Sequence, residues 1–218
     1  MSIRSVYVAA LRAVALITAF LALSFSAQAG SPEGAKEYAS SIGSRVLAIL
    51  NDTGTDQGQK MDALEVLFVK VVDVEWVGKF VLGTHWRAAT DAQKAAYMEA
   101  YRTFLIKHYT SRFADYGGET FDLPISREER KGEYFVRMEI KRPMGQAPVI
   151  VDYRLRENAD NTYRVFDIIV EGVSLIATQR SEFGSVVSRK GLDDLTAKLK
   201  SKTDKLDAEM RAPKKDKK

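Results

Sequence analysis

Cysteine is missing from all 218 residues. Its absence excludes disulfides, thiol redox chemistry and thiolate metal sites. It also removes the residue on which an exported lipoprotein is acylated. Histidine is scarce: His85 and His108 stand on separate segments with no metal-ligand spacing, and each reads as a surface or capping residue. No Gly-x-Ser-x-Gly elbow, P-loop or dinucleotide-binding glycine pattern occurs. Beyond residue 30 no hydrophobic run is long enough to span a bilayer. No cofactor, metal or nucleic-acid partner is expected, and no enzymatic activity.

What is present begins with an export pattern. Within residues 1–29, Arg4 and Arg12 precede an apolar stretch that is short for a membrane span, and Ala27-Gln28-Ala29 matches a small-residue cleavage site. The expectation is a cleavable signal peptide over 1–29 and a soluble, periplasmic mature chain. The remaining chain is long enough for one core. The overall net charge is +4, unevenly placed. From residue 189 onward eleven Lys and Arg face six Asp and Glu, so a basic end follows a mildly acidic body. Residues 212–218 carry no apolar periodicity and read as a basic, disordered tail, leaving 30–211 as the domain.

Along the domain the period of the apolar residues changes twice. Tyr38, Ile42, Val46 and Ile49 form a helical stripe, as do Met61, Leu64, Leu67, Phe68 and Val71. A short helix over 74–82 stops at Gly83. Thr90 and Gln93 form a capping box for a long helix that Gly117 and Gly118 stop. The period then falls to two. Phe121, Leu123 and Ile125 alternate with polar residues, then Tyr134, Val136, Met138 and Ile140, then Val149, Val151, Tyr153 and Leu155, then Phe166, Ile168 and Val170, with turn-like breaks between. After Gly172, Ser174 is a good N-cap for a helix carrying Leu175, Ile176 and Phe183. Leu192, Leu195, Leu199, Leu206 and Met210 continue in helical spacing. The fold class is α+β: helices on one face of a curved antiparallel sheet of about four strands, an arrangement that can leave an apolar gap between the layers.

Two acids invite a catalytic reading. Asp152 and Asp167 fall on adjacent strands, as paired carboxylates for acid–base work would. Pairing with Arg137 and Arg154 on the water-facing side of the sheet is the structural alternative. The aromatic residues exceed what a minimal core needs. A filled core and a cavity have the same composition, so this excess alone does not separate a carrier from a small-substrate enzyme or a solid structural adaptor.

A set of motifs adds a family. Leu82-Gly83-x-x-Trp86-Arg87-x-x-Thr90-x-x-Gln93, Tyr109, the run from Tyr163 through Glu171-Gly172-Val173-Ser174-Leu175, Arg180-Ser181-x-Phe183 and Gly191-Leu192 together resemble the MlaC or toluene-tolerance family of periplasmic phospholipid-binding proteins. Hopanoid-associated relatives share that fold and would bind a polycyclic lipid. The resemblance implies a soluble shuttle carrying phospholipid between an outer-membrane lipoprotein–porin complex and an inner-membrane ABC transporter with an MCE-domain ring. It implies acyl chains buried between sheet and helices. The residues expected there are Phe80, Trp86, Tyr101, Phe104 and Leu105 on helices, Tyr134, Val136, Met138, Val149, Val151, Tyr153, Phe166, Ile168 and Val170 on strands, and Leu175 at the start of the following helix.

Overall fold

Local chemistry starts each helix. The structure, a computed structural model, describes residues 30–160 and 162–211; the expected leader 1–29 and tail 212–218 lie outside them. Helix α1 (Pro32–Asn51) is capped by Ser31, whose hydroxyl accepts from the Gly34 N–H at 3.0 Å, with Pro32 at a position where its missing N–H costs nothing. Helix α2 (Gln57–Val71) opens with a capping box between Asp56 and Gln59. Helix α3 (Val74–Leu82) ends at Gly83, whose φ of 55° few other residues tolerate. A one-turn helix α4 (Thr84–Ala88) follows. The box expected at Thr90 and Gln93 is formed, with both reciprocal bonds at 3.2 Å, and starts α5 (Asp91–Thr110). A 3-10 segment, Ser111–Asp115, then carries the chain towards Gly117 and Gly118.

Five strands follow in simple antiparallel order: β1 (Thr120–Arg130), β2 (Glu133–Lys141), β3 (Val149–Glu157), β4 (Tyr163–Val170) and β5 (Val173–Ser174). The fifth strand adds to the expected meander. Glu171 and Gly172 both take positive φ, 49° and 82°, which suits a tight turn that folds Val173 back onto Val170. Ser174 then caps helix α6 (Leu175–Lys190), accepting from the Ala177 N–H at 3.2 Å. Helix α7 (Leu192–Arg211) completes the described chain.

The helices cover one face of the sheet. Helix α1 crosses β1 and β2, while α2, α3 and α6 meet β4, and α5 packs along α7. The junction of α2 and α3 is tied to β4 by a bond from the Asp73 N–H to the Val165 carbonyl at 2.9 Å. The Tyr163 hydroxyl accepts from the Gly30 N–H at 2.9 Å and fixes the start of α1 to the same strand. Val81, Leu82, Tyr97, Tyr101, Val136, Leu155 and Leu199 are shielded almost completely. A second small cluster, Leu50, Met61 and Leu64, closes α1 on α2.

Strict alternation fails at three places: near Arg130 at the end of β1, and at two others whose physical cause is plain. On β1 the register shifts between Asp122 and Ile125. Pro124 has no N–H to give the ladder, as an edge strand permits, and Ile125 emerges exposed. On β4 the register shifts opposite Arg154 and Leu155, so that Leu155 pairs with Val165 but Arg154 with Asp167. Phe166 is the extra residue of this bulge. Its ring meets Trp76 of α3 edge-on at 5.4 Å and lies beneath the Arg154 and Arg156 guanidinium groups, while Val165 turns inward.

Candidate functional site

Between the sheet and the first two helices lies a cavity of about 740 Å³. Its floor is the inner face of three strands: Met138 and Ile140 of β2, Val149, Tyr153 and Leu155 of β3, and Val165, Ile168 and Val170 of β4. Helix α1 supplies one wall through Tyr38, Ile42, Val46 and Leu50. Helix α2 supplies another through Leu64, Leu67, Phe68 and Val71. The helical spacing of those residues turns them to one side of each helix, where they line the void and in part touch the sheet, as the Tyr38 ring does at 5.5 Å from that of Tyr163.

The cavity is apolar at one end and polar at the other. The pairings Thr120 with Lys141, Ile140 with Val149 and Val151 with Val170 bring four strand ends to one rim of the sheet. There the lining changes to His108, Arg112, Tyr116, Glu119, Thr120 and Arg142. Arg112, Thr120 and Arg142 are exposed, so this is the mouth. The opposite end is closed by buried Ala39, Leu155 and Val165. Such a space accepts a molecule with a long hydrocarbon part and a polar head.

Few polar groups face the interior. Burial pushes the Tyr153 phenol up to about 12, and its one hydrogen-bond partner among the described residues is the Met138 sulfur at 3.7 Å. Burial likewise pushes Tyr109 up to about 12, and its hydroxyl accepts from Gln179 Nε2 at 3.3 Å. His108 is half-buried and stacks on Phe104 at 5.2 Å. Burial, with the Arg112 and Lys202 charges, holds its pKa below the usual value. It lines the cavity, where the sequence pointed to a surface or capping role.

Of the residues expected to contact a ligand, Met138, Val149, Tyr153, Ile168, Val170 and Leu175 border this cavity. Leu105 and Phe166, with Asp167, border a smaller void of about 30 Å³ that adjoins the cavity and shares Phe68, Tyr109, Val165 and Leu175 with it. Tyr101, Phe104, Tyr134, Val136 and Val151 are buried in the packed interior. Phe80 and Trp86 lie among the helices, Phe80 stacked on Trp76 at 4.9 Å and Trp86 beside the Lys79 and Lys94 ammonium groups. The walls from α1 and α2, and Phe113 and Phe121 near the mouth, were not expected at the site. Their signal was present as amphipathic stripes, which a filled core would produce equally.

Neither of the two carboxylates lines the main cavity. Asp152 is gripped by Arg137 through two bonds of 2.7 and 2.9 Å on the outer face of the sheet. Asp167 accepts from the Ser174 hydroxyl at 2.8 Å and the Ile176 N–H at 3.3 Å, with Arg154 at 3.9 Å. Both pairings with arginine were expected. Their burial was not: Asp152 and Asp167 are 5% and 2% exposed. Among the described residues no cluster of acids and histidines suits a metal ion, and no helix is long and apolar enough to cross a membrane.

Comparison with known proteins places this architecture. The model of a family described as MlaC protein matches residues 41–201. The intermembrane phospholipid transport system binding protein MlaC of Haemophilus influenzae is 20% identical over 130 residues, covering 59% of this chain and 61% of that protein. Toluene tolerance protein ttg2D of Pseudomonas putida is 25% identical over 133 residues, 61% of each chain. The alignable part thus spans about three fifths of these relatives' length. A phospholipid-binding protein from Ralstonia solanacearum, solved in complex with a phospholipid, shares the fold with a TM-score of 0.68 at 24% identity, over 79% of this chain and 98% of that one.

Proposed function

The chain belongs to the MlaC family, and from that premise we propose that it is a periplasmic carrier that binds phospholipid by its acyl chains. In this reading it is exported by its leader and ferries lipid between an outer-membrane lipoprotein–porin complex and the MCE-domain ring of an inner-membrane ABC transporter. No bond in the lipid is made or broken. The observation that carries the reading is the 740 Å³ apolar cavity with a single polar, exposed end. The phospholipid in the Ralstonia solanacearum relative supports it.

The physical need for such a carrier is large. Each buried methylene contributes about 0.8 kcal/mol, so two chains of roughly fifteen methylenes resist water by about 25 kcal/mol. A lipid does not cross an aqueous compartment alone at a useful rate. A cavity lined by aliphatic side chains replaces the bilayer, and the cost of transfer falls to that of opening the layers at a partner. Met138, Val149, Tyr153, Ile168, Val170 and Leu175 are assigned to contact the chains. The other expected residues, Phe80, Trp86, Tyr101, Phe104, Leu105, Tyr134, Val136, Val151 and Phe166, are assigned to hold the helical layer and sheet in place around it.

Native mass spectrometry of the protein purified from the cell envelope tests this. The expected spectrum carries an adduct with the mass of a diacyl phospholipid, lost in the presence of organic solvent. Protein recovered empty from lipid-replete cells would overturn the proposal.

A further inference from the structure

The mouth of the cavity holds two arginines that have no acidic partner among the described residues. Arg112 lies in the 3-10 segment after α5, and Arg142 follows β2 directly; both are exposed and both border the cavity. Among the described residues neither forms an ion pair. The contrast lies elsewhere on the sheet: Arg127, Arg137, Arg154 and Arg156 each meet a carboxylate within 3.2 Å. Lys141, close to the mouth, is also satisfied, by Asp122. Arg142 uses its Nε–H on the Ala147 carbonyl at 2.8 Å, which fixes the side chain and leaves most of its five donors unspent. Glu119 is the one carboxylate on the cavity wall, and one of its oxygens accepts from the Gly117 N–H at 2.8 Å.

We infer that Arg112 and Arg142 form a phosphodiester-binding pair that selects which apolar molecules the cavity retains. The inference rests on the lipid-carrier reading and adds the chemistry of the head. A guanidinium offers parallel N–H groups whose spacing matches two oxygens of a phosphate, so an Arg–phosphate contact is directional as well as charged. A lipid with hydrocarbon tails and a neutral head, such as a diacylglycerol, fills the same cavity but gives the two arginines nothing. The mouth therefore discriminates by the phosphate while the interior supplies most of the affinity. Inorganic phosphate has the right chemistry and no tails, so it gains none of the apolar contribution.

The test uses the full mature chain, stripped of lipid with organic solvent and refolded. It is offered an equimolar mixture of phosphatidylglycerol and diacylglycerol with identical acyl chains, and the bound ratio is read by native mass spectrometry. The expected ratio favours phosphatidylglycerol. In an Arg112→Ala, Arg142→Ala variant it falls by about tenfold or more, the size expected for losing charge-assisted hydrogen bonds, while total lipid loading persists. Arg112→Lys with Arg142→Lys recovers part of the preference, because charge remains and the paired geometry does not. Single Arg112→Gln and Arg142→Gln variants show the same direction and keep the test decisive if a double variant fails to fold. An unchanged ratio in the alanine variant overturns the phosphate pair and leaves the carrier standing. Saturable binding of inorganic phosphate with no lipid preference also overturns it, in favour of a free-anion site. Loading of neither lipid by the unaltered protein removes both readings.

Discussion

At the scale of single residues, the polar groups that matter are those the interior cannot hydrate. The hydroxyl of Tyr101, a ring with no exposed surface, donates to Gln179 Oε1 at 2.8 Å, and Gln179 passes a bond on to Tyr109 at 3.3 Å. Tyr101→Phe keeps the packing and removes the donor. The expected cost is about 1 kcal/mol in denaturant unfolding, and a neutral result would mean that Gln179 finds another partner. His108 gives a pH dependence. Its folded pKa is depressed below 6.5, first by burial and then by Arg112 and Lys202. Above 6.5 the ring is neutral folded or unfolded and contributes nothing. As pH falls below 6.5 the unfolded chain takes up the proton first, so stability drops until the folded pKa is passed. His108→Phe is expected to flatten that part of the stability profile just below pH 6.5; an unchanged slope would assign it to another group. Asp167 runs the other way: burial raises its carboxyl above the usual range, so its contribution is gained as pH falls through the folded pKa, is complete below the unfolded one, and is lost again as pH rises.

At the scale of elements, the seam between α1 and β1 leaves no room for a side chain at Gly43. Gly43 of α1 sits where a Cβ would overlap the Phe121 ring of β1, and both residues border the cavity. Gly43→Leu must displace Phe121 or α1, and either change narrows the space beside the mouth. The expected result is a folded protein that recovers at least several-fold less lipid, with far-UV circular dichroism retained; full loading would show that the seam yields without cost to the cavity. The elements themselves were largely legible in sequence. Ser174, Thr90 and Gln93 announced their helices because a cap is made of neighbours within one turn. The bulge at Phe166 was not, since Val165 and Phe166 are both apolar and either fits an inward position. The strand β5 was hidden by its length of two residues, although Glu171 and Gly172 supplied the turn. The cavity was hardest to foresee. Ile42, Val46, Leu64 and Phe68 have the pattern of core residues, and whether such a face closes on the sheet depends on the separation of the layers, which no single helix encodes.

At the scale of the whole molecule, the helices divide the work. The pairs α5 with α7 and α3 with α6 build a packed interior beside β4, while α1 and α2 roof the void. A charged tie joins the two regions: Lys107 of α5 meets Glu65 of α2 at 2.6 Å and Asp207 of α7 at 3.4 Å. An unfilled cavity leaves its lining without contacts on one side, so the roof is held less firmly when no ligand is present. Any occupant that binds the folded chain alone then stabilises it by mass action, by about 4 kcal/mol at a thousandfold excess over Kd. For a domain of this size that corresponds to a rise in Tm of about 10 °C. Calorimetry of the protein as purified and after delipidation is expected to show a shift of this order, reversed by adding phospholipid. Hydrogen exchange on the two samples should place the difference chiefly in α1 and α2, with α5 and α7 changing little. Equal melting temperatures, or protection spread evenly over all helices, would mean that the space between sheet and roof is not where the lipid goes.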